Sequence, residues 1–368
     1  MSTQNRVLIV GMTHEIGGME NYIINLYRKI NRDLIQFDFI NDKPGNKIPF
    51  QDEIETLGGR IIDVPIIRDG PVQHYYKLYQ IFHDTDYRAV HYNISWRIRN
   101  LDVLQFAKRH RVPIRILHVH TIANEGGKTY GIQRVREEIA YIRKEKLVTH
   151  RFACSEEAGK WMFGNHPFEV VPNGIDTDRF DYNPSARQEI RAKKGVTNET
   201  IYGTVARLYK VKNPLFLVDV FYEIHKLQPN SKFWHIGGGV LQNEMENKIQ
   251  ELGLSDSYYL LGRKENVSDY LNAMDLFLFP SIFEGFPISL LEAQNSGLKC
   301  LASDTIPDAV NLTGNVIFCS LEHDARAWAE KAVKNSIYKR ESCKKQLIDA
   351  RYSIEQTAAD YQNLILSP

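Results

Sequence analysis

An α/β fold of two doubly wound, parallel-sheet domains is what this 368-residue sequence predicts, and three observations carry the prediction. Short apolar runs alternate with amphipathic stretches of helical period, the order that builds parallel sheets. The alternation stops in VVPNGIDTDRFDYNP (170–184), a linker-like stretch rich in Asn, Asp, Gly and Pro, and then restarts. The length suits roughly two domains at about 150 residues each.

RVLIVG (6–11) is a short apolar run ending in glycine and reads as a buried parallel strand. In the following IGGMENYIINLYRKI, Met19, Tyr22, Ile23, Leu26, Tyr27 and Ile30 recur at helical spacing. A glycine pair therefore opens an amphipathic helix. IQFDFI (35–40), RIIDVPI (60–66), YRAVHYN (87–93) and IRILHVH (114–120) read as the next strands, with helical stretches such as NLDVLQFAKRH between them. Past the linker come IYGTVARL, SKFWHIGGG, SYYLLG and LFLFPS as strands. PLFLVDVFYEIHKL, LQNEMENKIQELG, VSDYLNAM and ISLLEAQNSG are the helices between and after them. The expected division is an N-terminal domain over 1–172 and a C-terminal domain over 173–351. Ligands of open parallel sheets sit at the carboxyl ends of the strands. Both domains are therefore expected to aim those ends at a shared cleft.

Composition excludes several classes. Hydrophobic residues at 43% and charged residues at 25% are those of an ordinary globular protein, and a net charge of +1 gives no global field for nucleic acid. Attraction to a membrane has to be local. No apolar run approaches the roughly 20 residues of a spanning helix, and the N-terminus lacks the apolar core of a secretion signal. The four cysteines form no CxxC pair, as expected of free thiols in a reducing compartment. A cytoplasmic location is expected.

FPSIFEGFPISLLEAQNSGLKCLAS (279–303) sets Glu284 and Glu292 in an otherwise apolar segment. Pro287 suits the first turn of a helix, whose free N–H groups and dipole would face phosphate. Gly285 permits close backbone approach, and carboxylates are strong acceptors for paired sugar hydroxyls. Phosphate cradling beside hydroxyl acceptors is what a nucleotide sugar needs, although helix capping and one solvated glutamate would also explain the segment. VARLYKVKNP (205–214) supplies Arg207 after a strand and Lys212 at the start of the next helix. That pair could grip a diphosphate, or be a solvated strand-end pair.

Gly17 and Gly18 would let phosphate or sugar approach backbone N–H groups, but the spacing is not that of a dinucleotide fingerprint. HIGGGV (235–240) is only a glycine-rich turn. His118 and His120 share a strand face, with no third metal ligand at a suggestive spacing. His120, at the strand's carboxyl end, is a fair donor to a substrate hydroxyl. The two DTD triplets, 84–86 and 176–178, look like metal-binding acid pairs, but they fall in polar turn contexts where aspartate caps and Asx-turns are common. The basic segment 128–151, with Arg134, Arg136, Arg143, Lys144 and Lys146, is either a solvated helix face or a surface for anionic lipid or lipid diphosphate.

Taken together, GGMEN, HVHT, VPNGID, ARLYKVKNP, GRKENV and EGFPISLLEA resemble the retaining glycosyltransferases of family 4 (GT4), in the branch that builds bacterial capsular polysaccharide and exopolysaccharide. The resemblance covers nearly the whole chain. It implies the GT-B fold, with two Rossmann-like domains and the donor held mostly by the second. The final helix (352–368) would then pack back on the first domain. It further implies that Arg207 and Lys212 bind the donor diphosphate. Glu284 would hold sugar hydroxyls, helped by the N–H groups of Gly285 and Phe286. Glu292 would bind the ribose, and Arg263 would face the nucleobase. Gly17 and Gly18 would lie against the phosphate and sugar, and His120 near the reacting centre. Ala206 stands where the family often has Gly.

The resulting expectation is metal-independent, retaining transfer of a sugar from a UDP-sugar, with no cofactor. The acceptor is a lipid-linked saccharide, polyprenyl-diphosphate-linked, on the inner face of the cell membrane. The carboxylates are then holders, not the acid–nucleophile pair of a glycosidase. The leaving diphosphate takes the acceptor's proton. A non-catalytic partner subunit of the same fold and a sugar-nucleotide epimerase are the rival readings.

Overall fold

The computed structural model describes residues 4–94, 101–120, 146–284 and 286–367. The chain divides into two compact units, Met1–Gly174 with Ile354–Pro368, and Ile175–Ser353.

In the first unit the strands are β1 (Asn5–Val10), β2 (Ile35–Asn41), β3 (Arg60–Asp63), β4 (Tyr87–Ile94), β5 (Ile114–Val119), β6 (His150–Ala153) and β7 (Glu169–Val170). They form one parallel sheet in the order β3-β2-β1-β4-β5-β6-β7. Successive strand side chains point to opposite faces, and both faces are buried. Val7 and Ile9 of β1 join the cluster under the Gly18–Lys29 and Ile354–Leu366 helices, whereas Leu8 and Val10 join the one under the Pro71–Asp84, Asp102–Arg109 and Glu156–Phe163 helices. All six residues whose spacing marked the first helix are buried.

Polar contacts tie the Ile354–Leu366 helix down, among them one from Asn31 N to the Gln362 side chain. Lys29 Nζ lies 2.7 Å from Glu355, Arg88 Nε donates to Ile365 O at 2.9 Å, and the Tyr361 hydroxyl meets His91 Nδ1 at 3.2 Å. A buried polar ring needs such partners.

In the second unit the strands are β8 (Thr200–Val205), β9 (Ser231–Ile236), β10 (Tyr258–Gly262), β11 (Leu276–Phe279), β12 (Cys300–Ser303) and β13 (Val316–Cys319). The sheet is again parallel, ordered β10-β9-β8-β11-β12-β13. Phe277 and Phe279 face one core and Leu276 and Leu278 the other. Fully burying a side chain of this size contributes about 1.5–3 kcal/mol. Trp328, also fully buried, satisfies its indole N–H on Ser320 O at 2.9 Å.

Strand order reverses between β1 and β4 in the first sheet and between β8 and β11 in the second. Connections leave in opposite directions at such a point, which opens a crevice outside the strand ends. Among the described residues, no helix is long and apolar enough to cross a membrane.

Candidate functional site

The loops after β8 and β11 leave the second sheet side by side at its reversal point. After β8 the chain runs through Ala206, Arg207 and Leu208 into a 3-10 turn, Lys210–Lys212. Lys212 closes that turn and does not open the following helix. Asn213, at φ +54, intervenes, and Pro214 starts the helix.

The Arg207 backbone is clamped by the glycine-rich turn after β9. Leu208 N donates to Gly238 O at 3.1 Å, and Leu241 N donates to Leu208 O at 3.1 Å. A Cβ on Gly237, whose φ is +139, would lie 2.0 Å from Ala206 O, and one on Gly239 would lie 2.6 Å from Leu208 O. These glycines serve close backbone packing. The Arg207 guanidinium stacks over the Tyr209 ring at 5.0 Å.

Lys212 reaches the other loop. Its ammonium forms an ion pair with Glu284, with side-chain exposures of 18% and 11%, and lies 5.4 Å from the centroid of Phe279, the last residue of β11. Ile282 N donates to Val211 O at 2.8 Å, so the two loops are also joined through backbone. The structure thus brings Lys212 and Glu284 into contact and sets Arg207 on the same strand end. A half-buried, charge-assisted pair of this kind is an electrostatic device more than a stabiliser.

Glu284 precedes Gly285, which lies outside the described residues. The Phe286 ring lies parallel to Tyr352, with centroids 4.9 Å apart and planes 1° from parallel. Pro287 is the N-cap, with extended backbone, and the helix runs Ile288–Asn295. Glu292 is its fifth residue. Burial pushes its carboxyl up to about 8, with the Arg179 cation pulling it back. Among the described residues no side chain hydrogen-bonds it. Arg263 is exposed on the turn after β10, where Gly262 has φ +66 and its carbonyl accepts from Gly237 N at 2.9 Å.

In the first unit, Gly17 is the N-cap of the first helix and Gly18 its first residue. Gly17's N–H is already used. The buried Glu20 carboxylate accepts from Gly17 N at 3.0 Å, Thr13 N at 3.2 Å and Thr13 Oγ1 at 2.6 Å. Any anion at this helix start therefore meets Gly18 and later amides. Glu20 was not singled out from sequence, since an acid in a helix's first turn is ordinary.

His120, just past β5, has both ring nitrogens engaged. Nε2 lies 2.9 Å from Asn93 Oδ1 and Nδ1 lies 2.9 Å from Asn173 Oδ1. Burial lowers the ring to about 4. Donation to a substrate hydroxyl thus requires exchanging an existing partner. The partner of His118 is His91 on β4, at 3.3 Å with the rings stacked 9° from parallel. His91 and Asn93 were read only as part of the strand YRAVHYN, and Asn173 only as part of the VPNGID motif, with no role at the site given to any of the three.

Asp176 Oδ1 accepts from Arg179 N at 2.9 Å, a local turn, and Asp178 pairs with Lys344. Of the basic segment 128–151, residues 128–145 lie outside the described residues. Lys146 is described, and Arg134, Arg136, Arg143 and Lys144 are not.

Two family descriptions match the chain: glycosyl transferases group 1 over residues 186–346 and glycosyltransferase family 4 over residues 16–179. The putative glycosyltransferase EpsF of Bacillus subtilis (strain 168) is 31% identical, over 99% of this chain and 97% of its own. The UDP-Gal:alpha-D-GlcNAc-diphosphoundecaprenol alpha-1,3-galactosyltransferase of Escherichia coli is 28% identical, over 58% of this chain and 55% of its own. Among solved structures, Anabaena Alr3699/HepE in complex with UDP has a TM-score of 0.74 at 17% identity, covering 99% of this chain and 100% of its own. Its fold, that of the GT-B glycosyltransferases, is the fold seen here.

Proposed function

The chain belongs to the glycosyltransferases of group 1 and family 4, and from that premise we propose that it moves a sugar from a UDP-sugar to a hydroxyl of a polyprenyl-diphosphate-linked saccharide, with retention, in capsule or exopolysaccharide synthesis. The observation that carries the reading is the Lys212–Glu284 ion pair at the β8/β11 reversal. Matched cation and carboxylate pair directly between the two loops. They separate to meet the opposite ends of one ligand, a diphosphate and a sugar hydroxyl. Two relatives support this choice of chemistry: the Anabaena protein binds UDP, and the Escherichia coli enzyme is named for UDP-Gal and a diphosphoundecaprenol acceptor.

In this reading Arg207 forks the diphosphate and Lys212 adds a point charge. Glu284, with the N–H groups of Gly285 and Phe286, orients the sugar. Glu292 accepts from the ribose hydroxyls, Arg263 faces the base, and Gly18 and His120 act from the first unit. The acceptor oxygen bonds to the anomeric carbon as the bond from that carbon to the diphosphate oxygen breaks. The acceptor's proton passes to the departing diphosphate, and UDP leaves. Arg207 and Lys212 stabilise the growing negative charge, so the step needs no resident metal or cofactor. The inner membrane face is where such an acceptor is met, with segment 128–151 as the anionic-lipid contact.

The test is UDP release by the purified full chain from UDP-Glc, UDP-Gal, UDP-GlcNAc or UDP-GalNAc, with polyprenyl-diphosphate saccharides present. Saturable release and a longer glycan are expected. An epimerised donor without acceptor, or no turnover with any donor, contradicts the reading.

A further inference from the structure

His120 and two asparagines at the first sheet's strand ends form a closed set. Asn93 Nδ2 is committed to two carbonyls, those of Val10 and His91, at 3.3 Å each. Its Oδ1 is therefore the atom left for His120 Nε2. An amide oxygen only accepts, so Nε2 carries the hydrogen. The backbone position of Asn93 is set in turn by Gly11. There φ is +102 and a Cβ would lie 1.9 Å from Asn93 O, an approach of β1 and β4 that only glycine allows.

The other nitrogen follows from charge. His120 is packed against His118 on its own strand, with ring centroids 3.9 Å apart, and Tyr22 of the Gly18–Lys29 helix at 5.1 Å. Behind His118 stand His91 of β4, at 5.5 Å, and Tyr361 of the last helix, stacked on His91 at 5.4 Å. Burial holds both histidines well below their ordinary range and both tyrosines above theirs, so all four are neutral near pH 7. Among the described residues no carboxylate or cation is placed against the ring. A neutral ring with Nε2–H has a bare lone pair at Nδ1. It requires Asn173 to turn its NH2 group to that atom, whereas an imidazolium would donate to Asn173 Oδ1.

We infer that Asn93 and Asn173 are positioning residues for His120: Asn93 fixes the Nε2–H tautomer, and Asn173 caps Nδ1 until a substrate hydroxyl takes its place. His120 then acts toward the sugar as a hydrogen-bond acceptor, not as a donor. The inference rests on the role given to His120 under the proposed function. It deepens that role by naming the ring atom, its protonation state and the residues that enforce both. Asn173 immediately precedes Gly174, the last residue of the first unit's main segment, so the cap is carried by chain close to the crossing.

The experiment uses the full chain with 15N-labelled histidine, the His120 signals being assigned by their loss in His120→Gln. Long-range proton–nitrogen spectra are expected to show one neutral Nε2–H tautomer from pH 5.5 to 8. Asn93→Ala is expected to mix tautomers and lower kcat on the order of tenfold, leaving KM for the UDP-sugar within about twofold. Asn93→Asp is nearly isosteric, which protects the test if the alanine variant folds poorly. Its carboxylate favours the imidazolium, in which Nδ1 bears a hydrogen and no longer accepts. At saturating UDP-sugar, kcat should then fall as pH drops through the raised pKa, an acid limb in kcat that the wild type lacks over that range. An Nδ1–H tautomer in the wild type, or an unaltered pH profile in Asn93→Asp, overturns the inference. Unchanged transfer in His120→Ala would instead remove His120 from the proposed function. A large loss there, with Asn93→Ala like wild type, defeats the positioning claim alone.

Discussion

Lys212 and Glu284, 72 positions apart, are joined side chain to side chain where the second sheet reverses its strand order. Each leaves a different strand, and neither has another opposite charge as close among the described residues. They are expected to act as a unit. Lys212→Ala and Glu284→Ala should each lower kcat/KM for transfer on the order of 100-fold. The double variant should lose much less than the product of the two, read as a coupling of about 1 kcal/mol or more in steady-state UDP release. Fully multiplicative losses would show that the pair does not cooperate.

Glu292 is expected to make donor binding pH-dependent. Its carboxyl, raised to about 8 by burial, is largely protonated at pH 7, whereas a carboxylate is the stronger acceptor for ribose hydroxyls. Binding should release a proton, seen by calorimetry in buffers of different ionisation enthalpy. UDP affinity should weaken as pH falls from 8 to 6, approaching tenfold per unit. Glu292→Gln should flatten that dependence.

The same group has a stability signature of opposite sense to an ordinary carboxylate. Its folded value lies above the ordinary 4.5, so the native state binds more protons between the two values. Its contribution is most favourable below about 4.5 and is lost as pH rises through about 8. Glu292→Gln is therefore expected to raise Tm by several degrees at pH 8.5 and to change it little at pH 4.5. A Tm difference that is the same at both values would contradict the raised carboxyl.

Gly237 and Gly238 make a matched pair of controls for the Arg207 clamp. Gly237→Ala drives a Cβ to 2.0 Å from Ala206 O at a φ of +139, whereas a Cβ on Gly238 meets nothing within 4 Å. Gly237→Ala should cost more than about 2 kcal/mol in denaturant unfolding and should weaken UDP binding through Arg207. Gly238→Ala should do neither.

The Phe286 ring is stacked on Tyr352, and Phe286 is proposed to act on the sugar and not on the nucleotide. An aligned ring pair contributes about 0.5–1.5 kcal/mol. Phe286→Ala should raise KM for the UDP-sugar up to about tenfold and leave the affinity for UDP, measured by titration calorimetry, within about twofold.

Much of the fold was readable because parallel strands buried on both faces are continuous apolar runs, as RVLIVG and LFLFPS are. Strands β6, β7, β12 and β13 were not read. They are two to four residues long, too short to show a period, and HRFA and CLAS mix polar with apolar residues. The Pro71–Asp84 helix was also missed. Val72, Tyr75, Tyr76 and Tyr79 are exposed on it, so its apolar pattern wraps beyond the buried stripe of Leu78, Ile81 and Phe82.

At the site, Arg207, Lys212, Glu284 and Glu292 stood out as charges in apolar or glycine-rich surroundings. Their pairing did not, because it depends on which strands neighbour each other in the sheet, a non-local choice. Lys212 was read as a helix start because the left-handed Asn213 between turn and helix leaves no mark in a Lys-Val-Lys-Asn-Pro string. Asn93 and Asn173 were given no role at the site for a related reason. An asparagine's value there lies wholly in which way its amide is forced to face.

The most direct test of the central claim is a structure of the full chain with UDP bound. The account predicts the diphosphate within about 3 Å of Arg207 and Lys212 and the ribose hydroxyls on Glu292, with Lys212 drawn away from Glu284. A diphosphate that touches neither cation, with the Lys212–Glu284 pair intact beside it, would contradict the account.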